Sequence, residues 1–316
     1  MERDEDKEDL KIDKFHQLDL FLAEVTDLPI RDLMDLMWRP FFSLSKRKRF
    51  KPIIYENKGV KITITGGEPY GIATIYDEDI LMWFASQIVE ARDRGEQTSP
   101  QLHFTPYDCL KEIHRRTDGD EYNRFYDALE RLKNTNIFTN IREEDQEGNR
   151  RGRVQAFSWI SEYKLHYVEK NGKKIPKGVT VILPDWFYKG VLKKGHVLTI
   201  DDRYFKLTSG LERALYKIAR KHVGRQASFA FTMRQLYEKT GSDEKFSNFA
   251  LRIRKCVNGG GMPEYAMEIY KNANKEEVVT FIRRCELDFK DPNYEPPRWS
   301  KKQDRLLPKK RLSDAQ

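Results

Sequence analysis

The 316-residue chain is expected to be an α+β protein built from two tandem winged-helix domains. Three observations predict this. Phe104 to Asn134 and Phe231 to Asn258 follow one plan, each opening with Phe-Thr at a helix start, breaking at a polar turn and resuming as a longer helix. In those longer helices apolar residues recur at helical spacing: Tyr122, Phe125, Leu129 and Leu132 in the first, Phe246, Phe249, Ile253 and Val257 in the second. Strand-like sequence able to form a hairpin follows each copy, and helix, turn, helix, hairpin is the order of a winged helix, a DNA-binding device.

The elements follow in order. Residues 1–29 form an acidic arm, disordered over its first 13 residues by its charge. Phe15, Leu18, Phe21, Leu22 and Val25 then repeat at helical spacing. The first domain spans 30–195. Ile53–Tyr55 and Val60–Ile64 flank the turn Asn57-Lys58-Gly59 and read as paired strands. Asp77-Glu78-Asp79 suits the positive end of a helix that continues through the apolar run to Val89. After the repeat unit, strands at 137–141, 154–168 and 179–183 are expected to make a three-stranded wing, and a helix runs from Pro184 to Leu192. The second domain, 196–290, opens with Leu198-Thr199-Ile200 and a helix from Leu211 to His222. It closes with a hairpin, Ala266–Tyr270 against Val278–Arg283. Residues 291–316 are a basic, flexible tail.

Charge points to the partner. The formal net charge is +8, which favours a polyanion such as double-stranded DNA. On the second long helix, Asn248 and Arg252 are placed to read bases beside Ser247, with Lys245, Arg254 and Lys255 on the phosphate backbone. In the first copy Arg115 and Arg116 sit in the turn, and Asn123, Arg124 and Arg131 on the helix, diluted by Glu121, Asp127 and Glu130. Arg150, Arg151 and Arg153 form a basic hairpin tip suited to a narrow groove. Trp38, Phe41, Phe42, Ile62 and Ile64 are candidates for an apolar self-association surface, so 30–190 is expected to carry the dimer contact.

Other classes fare worse. The acidic start lacks the basic-then-apolar pattern of a signal peptide, and the longest apolar run, Ile80 to Ala85, is far short of the roughly 20 residues that span a membrane. Cys109, Cys256 and Cys285 are scattered, so no disulfide framework is expected and the protein reads as cytoplasmic. The six histidines show no metal-ligand spacing, and there is no phosphate-binding P-loop. His222-Val223-Gly224-Arg225 has the HxxR spacing of tyrosine recombinases, with Tyr237 nearby as a nucleophile, but Gly224 reads better as a helix stop. Neither a cofactor nor an enzymatic activity is expected. A DNA strand-transfer enzyme is the alternative from another class, and a winged-helix transcriptional repressor the alternative within it.

Four separated blocks, PFFSLSKRKR (40–49), GIATIYDEDILMW (71–83), LERLKNTNIFTNIR (129–142) and RALYKIARKHVGRQ (213–226), resemble the plasmid replication initiator proteins, in particular the replication initiator protein A group. The resemblance covers roughly 30–260. It implies tandem winged helices that bind repeated origin sites (iterons), distort the DNA without enzymatic chemistry, and recruit the host helicase and initiator. It also implies exchange between monomers and dimers, with the C-terminal winged helix as the stronger major-groove reader.

Overall fold

Thr105 and Thr232, the second residues of the two Phe-Thr pairs, are helix caps. The Thr105 hydroxyl accepts from the Asp108 amide, and the Thr232 hydroxyl from the Gln235 amide while the Gln235 side chain returns to the Thr232 amide. Each cap satisfies amides that a helix start leaves without a partner. The structure, a computed structural model, describes residues 20–142, 154–170, 173–259 and 261–296.

The first half begins with β1 (Leu20–Leu22), β2 (Arg31–Leu33) and the hairpin β3 (Ile53–Asn57) and β4 (Val60–Gly66). Helix α1 (Glu78–Asp93), β5 (Gln101–Phe104), α2 (Pro106–Glu112) and α3 (Gly119–Asn134) follow. Next come β6 (Thr135–Thr139), β7 (Gln155–Ser158), the long hairpin β8 (Glu162–Lys170) and β9 (Lys173–Ile182), and α4 (Asp185–Leu192). The second half runs β10 (Val197–Thr199), α5 (Gly210–Val223), β11 (Ser228–Thr232), α6 (Met233–Thr240), α7 (Phe246–Asn258), β12 (Tyr265–Lys271) and β13 (Glu277–Arg283). One sequence of elements therefore occurs twice, helix, short strand, two helices, hairpin, with β6 and β7 inserted before the hairpin in the first copy. In both copies the short strand pairs antiparallel with the second strand of the hairpin, β5 with β9 and β11 with β13.

Three expectations change. Leu20–Leu22 is a strand, not helix: Phe21 and Ala23 are buried while Leu22 is exposed, the period of two that pairing in parallel with β5 demands. The three-stranded wing does not form, because Trp159 and Ile160 are fully buried and carry the chain through the core between two sheets. β7 pairs with β6 in the order β3-β4-β6-β7, whereas β8 joins β1-β5-β9-β8. The apolar set offered for self-association fills the interior instead, with Phe41, Phe42, Ile62 and Ile64 at 4% exposure or less. Trp38 is partly buried, its ring edge-on to His222.

The halves share one continuous core, and several polar links cross it. β10, placed at the opening of the second domain, pairs with β2 of the first half. The α6–α7 turn is closed by Gly241 at φ +59°, where a Cβ would stand 2.5 Å from Pro40 Cβ; its carbonyl accepts from Arg49 Nη1 at 2.8 Å.

The densest link is electrostatic. The acidic triplet at the start of α1 faces cations from α3, α5 and the loop that leads into α3. Asp77 accepts two hydrogen bonds of 2.8 Å from Arg131 of α3. Asp79 takes Arg213 Nη1 of α5 at 2.8 and 2.9 Å, and Arg115 at 3.1 Å. Glu78 is hydrogen-bonded to Lys217 of α5, whose ammonium also lies 2.9 Å from Asp32 Oδ2 of β2. Lys217, Asp32 and Glu78 are each 2% exposed or less. Burial pushes the Glu78 carboxyl up from 4.5 to about 8; Lys217 pulls against the shift and the Asp32 charge adds to it. Burial raises Asp32 as well, against the pull of Lys217, so both carboxyls hold their protons more tightly than free ones and Glu78 favours its neutral form at pH 7.

Lys217→Met is expected to cost about 3–5 kcal/mol in denaturant unfolding, because Asp32 stays buried without a cation. Glu78→Gln keeps the neutral form in both folded and unfolded chains, so it should match wild type below about pH 4.5 and be the more stable of the two at pH 7. Since the folded pKa of Glu78 lies above its ordinary value, its contribution is complete below 4.5 and is lost as pH rises towards 8. Stability curves for wild type and Glu78→Gln should therefore diverge across that window, with the variant flatter; parallel curves would contradict a protonated Glu78.

Candidate nucleic-acid interface

Helix α7 buries Phe249, Ala250 and Ile253 against the second half, and Phe246, Cys256 and Val257 pack partly on the same core. With 3.6 residues per turn, Lys245, Ser247, Asn248, Leu251, Arg254 and Lys255 fall on the other side, and all six are exposed. The helix contains no acidic residue. Two of its arginines are nevertheless engaged. Arg254 makes a two-pronged bond to Glu277 of β13, at 3.0 and 2.6 Å, which lashes the hairpin to the helix. Arg252 pairs with Glu244 and reaches Ser209 Oγ at 3.4 Å, ahead of α5. Among the described residues, the side chains of Lys245, Ser247, Asn248 and Lys255 make no hydrogen bond or ion pair, so they are available to a ligand.

The hairpin beside α7 adds cations that the sequence reading passed over. Lys271 and Lys275 are exposed at its tip, where Asn272 binds the Glu276 amide and closes the turn. Lysines flanking an Asn-Ala-Asn turn between two strands were the available signal.

The first copy differs in charge. Asp120, Glu121, Asp127 and Glu130 all lie on α3. Arg115 and Arg131, expected among the DNA-binding residues, point inward to the acidic triplet at 17% and 21% side-chain exposure and pair with it. Arg124 pairs with Glu121 and Arg116 with Asp118, both arginines well exposed, and Asn123 is exposed. Arg150, Arg151 and Arg153 lie outside the described residues.

The residues of the strand-transfer alternative have local tasks. The Tyr237 hydroxyl donates to the Glu244 carbonyl at 2.6 Å, and its ring packs edge-on against Phe246 and Phe249, bracing the turn into α7. His222 lies among Trp38, Phe229 and Phe231. Burial, helped by the charges of Lys239, Lys221 and Arg39, pulls its pKa down to about 4, so the ring is neutral. Among the described residues no three His, Cys, Asp or Glu side chains cluster as a metal site, and no helix is long and apolar enough to cross a membrane.

Residues 31–267 match the sequence model of the family described as replication initiator protein A. The chain belongs to that family. A relative from Wigglesworthia glossinidia brevipalpis, whose description is that of a replication protein, is 33% identical over 252 residues, covering 78% of this chain and 86% of the relative. The fold is shared with a crystal structure of domains 2 and 3 of RctB at a TM-score of 0.55 and 13% identity, covering 79% of this chain and 95% of that one. A second RctB domain 2–3 structure gives 0.50 and 14%, covering 79% and 96%. For this family member the matched span begins at β2 and ends within β12, so it holds the acidic triplet, its cations and all of α7.

Tyr237→Phe deletes one hydrogen bond to a carbonyl and leaves the ring packing. It is expected to lower unfolding stability by about 0.5–1.5 kcal/mol. Plasmid maintenance in a transformation assay should survive; its loss in a folded, DNA-binding variant would point to a nucleophilic role.

Proposed function

We propose that the protein is a plasmid replication initiator that binds repeated duplex sites at an origin through two winged helices, without enzymatic chemistry. In this reading the copy containing α7 reads the major groove. The observation that carries it is the outer face of α7, exposed, free of carboxylates and flanked by the lysine-tipped hairpin. Asn248 offers both a donor and an acceptor to a base edge, and Lys245 and Lys255 meet phosphates at either end. Arg252 joins the reading once it leaves Glu244. The first copy, richer in acids on α3, clamps backbone through Arg116, Arg124 and the arginines of 150–153 or holds a partner protein. Host helicase and initiator recruitment, and exchange between monomer and dimer, complete the proposal in line with the family. Residues 1–29 and 291–316 serve as arm and tail, and the two units divide near residue 195. A cytoplasmic location follows from the role.

Asn248→Ala and Arg252→Ala should each lose about 1–3 kcal/mol on the specific site and much less on random duplex. Lys255→Ala should weaken both alike and make binding less steep in salt by about one unit of log-log slope. Glu277→Gln releases Arg254 from its carboxylate and should tighten binding at low salt. An unchanged ratio of specific to random binding in both Asn248→Ala and Arg252→Ala would remove α7 as the reader.

A further inference from the structure

Leu251 breaks the pattern of its helix. Every other apolar residue of α7, namely Phe246, Phe249, Ala250, Ile253, Cys256 and Val257, joins or packs on the core. Leu251 instead stands 50% exposed on the opposite side. Ser247 and Lys255 lie one turn before and after it, and Asn248 three residues before, so it occupies the middle of the polar face. A helical leucine leans back toward the N-terminus, which lays its two methyl groups over the turn carrying Ser247 and Asn248. Arg252 and Arg254, next to it in sequence, are drawn aside by Glu244 and Glu277, which leaves Lys255 as the cation one turn on. The centre of the face is thus an aliphatic knob bordered by a hydroxyl and an amide.

Resting on the proposed DNA reading, the geometry points to Leu251 as a specificity residue that packs against the 5-methyl group of a thymine in the major groove. The groove floor offers one apolar group, that methyl. Amino and carbonyl edges of the other bases lose water against an aliphatic side chain and gain no hydrogen bond in return. Leu251 therefore selects thymine by contact and discourages the other bases at the same position, while Asn248 reads a neighbouring base pair through its amide.

The test uses the full chain and duplex sites selected by it from a randomised pool. Each thymine is replaced in turn by uracil, which keeps the pairing and removes only the methyl. Wild type should bind about fourfold more weakly at one or two positions, the worth of one buried methyl. Leu251→Ala, a change at an exposed site, should bind those thymine and uracil duplexes equally, whereas Asn248→Ala should retain the difference. Uracil tolerated at every thymine, with sequence selection intact, would overturn the assignment and leave the DNA reading standing. The same uracil penalty persisting in Leu251→Ala would overturn it too. Failure of wild type to select any sequence would instead sink the DNA reading, and this inference with it.

Discussion

Lys217 sits where no ammonium would remain without partners. Moving a charge of that size out of water costs several kcal/mol even after relaxation, and Asp32 at 2.9 Å with Glu78 beside it is what makes the position tenable. The three groups come from β2, α5 and α1, so they meet only when both halves of the chain are in place. Arg213 on Asp79 and Arg131 on Asp77 extend the same arrangement to the residues on either side of Glu78. Apolar burial supplies cohesion without direction; these pairs supply the direction, because sliding α5 along α1 would separate Arg213 and Lys217 from their carboxylates. The relative placement of the two repeated units rests on this cluster.

The cluster also accounts for the electrostatic divergence of the two copies. Arg131 and Arg115 lie in and just before the long helix of the first copy, at positions that would face a polyanion if they were turned outward. They are consumed by Asp77 and Asp79, which leaves the exposed Asp120 and Asp127 of α3 without those two cations beside them. The second copy contributes cations to the same cluster from its first helix, α5, and keeps α7 clear of it. One unit has given cations of its long helix to the interior, and the other has not.

What could be read from the sequence followed from short-range chemistry. The Phe-Thr starts, the apolar spacing of both long helices and the Val278–Arg283 hairpin are local patterns, and each appears close to its expected bounds. Whatever depended on distant partners was not legible. Phe21 and Leu22 fit helical spacing until β5 offers an edge to pair with. The triplet Asp77-Glu78-Asp79 looked like a favourable helix start, and its partners lie 36 to 139 residues away. Apolar residues such as Phe41 and Ile64 carry no mark that separates an interior side chain from one at an interface. On α7 the outward face could be read because exposure follows directly from helical period. The carboxylates of Glu244 and Glu277, which hold Arg252 and Arg254, could not.

Gly241 gives the arrangement a further consequence. The turn before α7 rests on Pro40 and is bonded to Arg49, both of the first half, so α7 is fixed to the unit before it. A chain joined by a slack tether could meet two stretches of duplex in many rotational phases. This one would offer a single phase, and under the proposed role the adjustment required for both units to engage would fall on the double helix. Under the proposed role, local overtwisting or bending of the bound repeat becomes part of its recognition, and sequences that deform readily between the two contacts are favoured even where no side chain touches them.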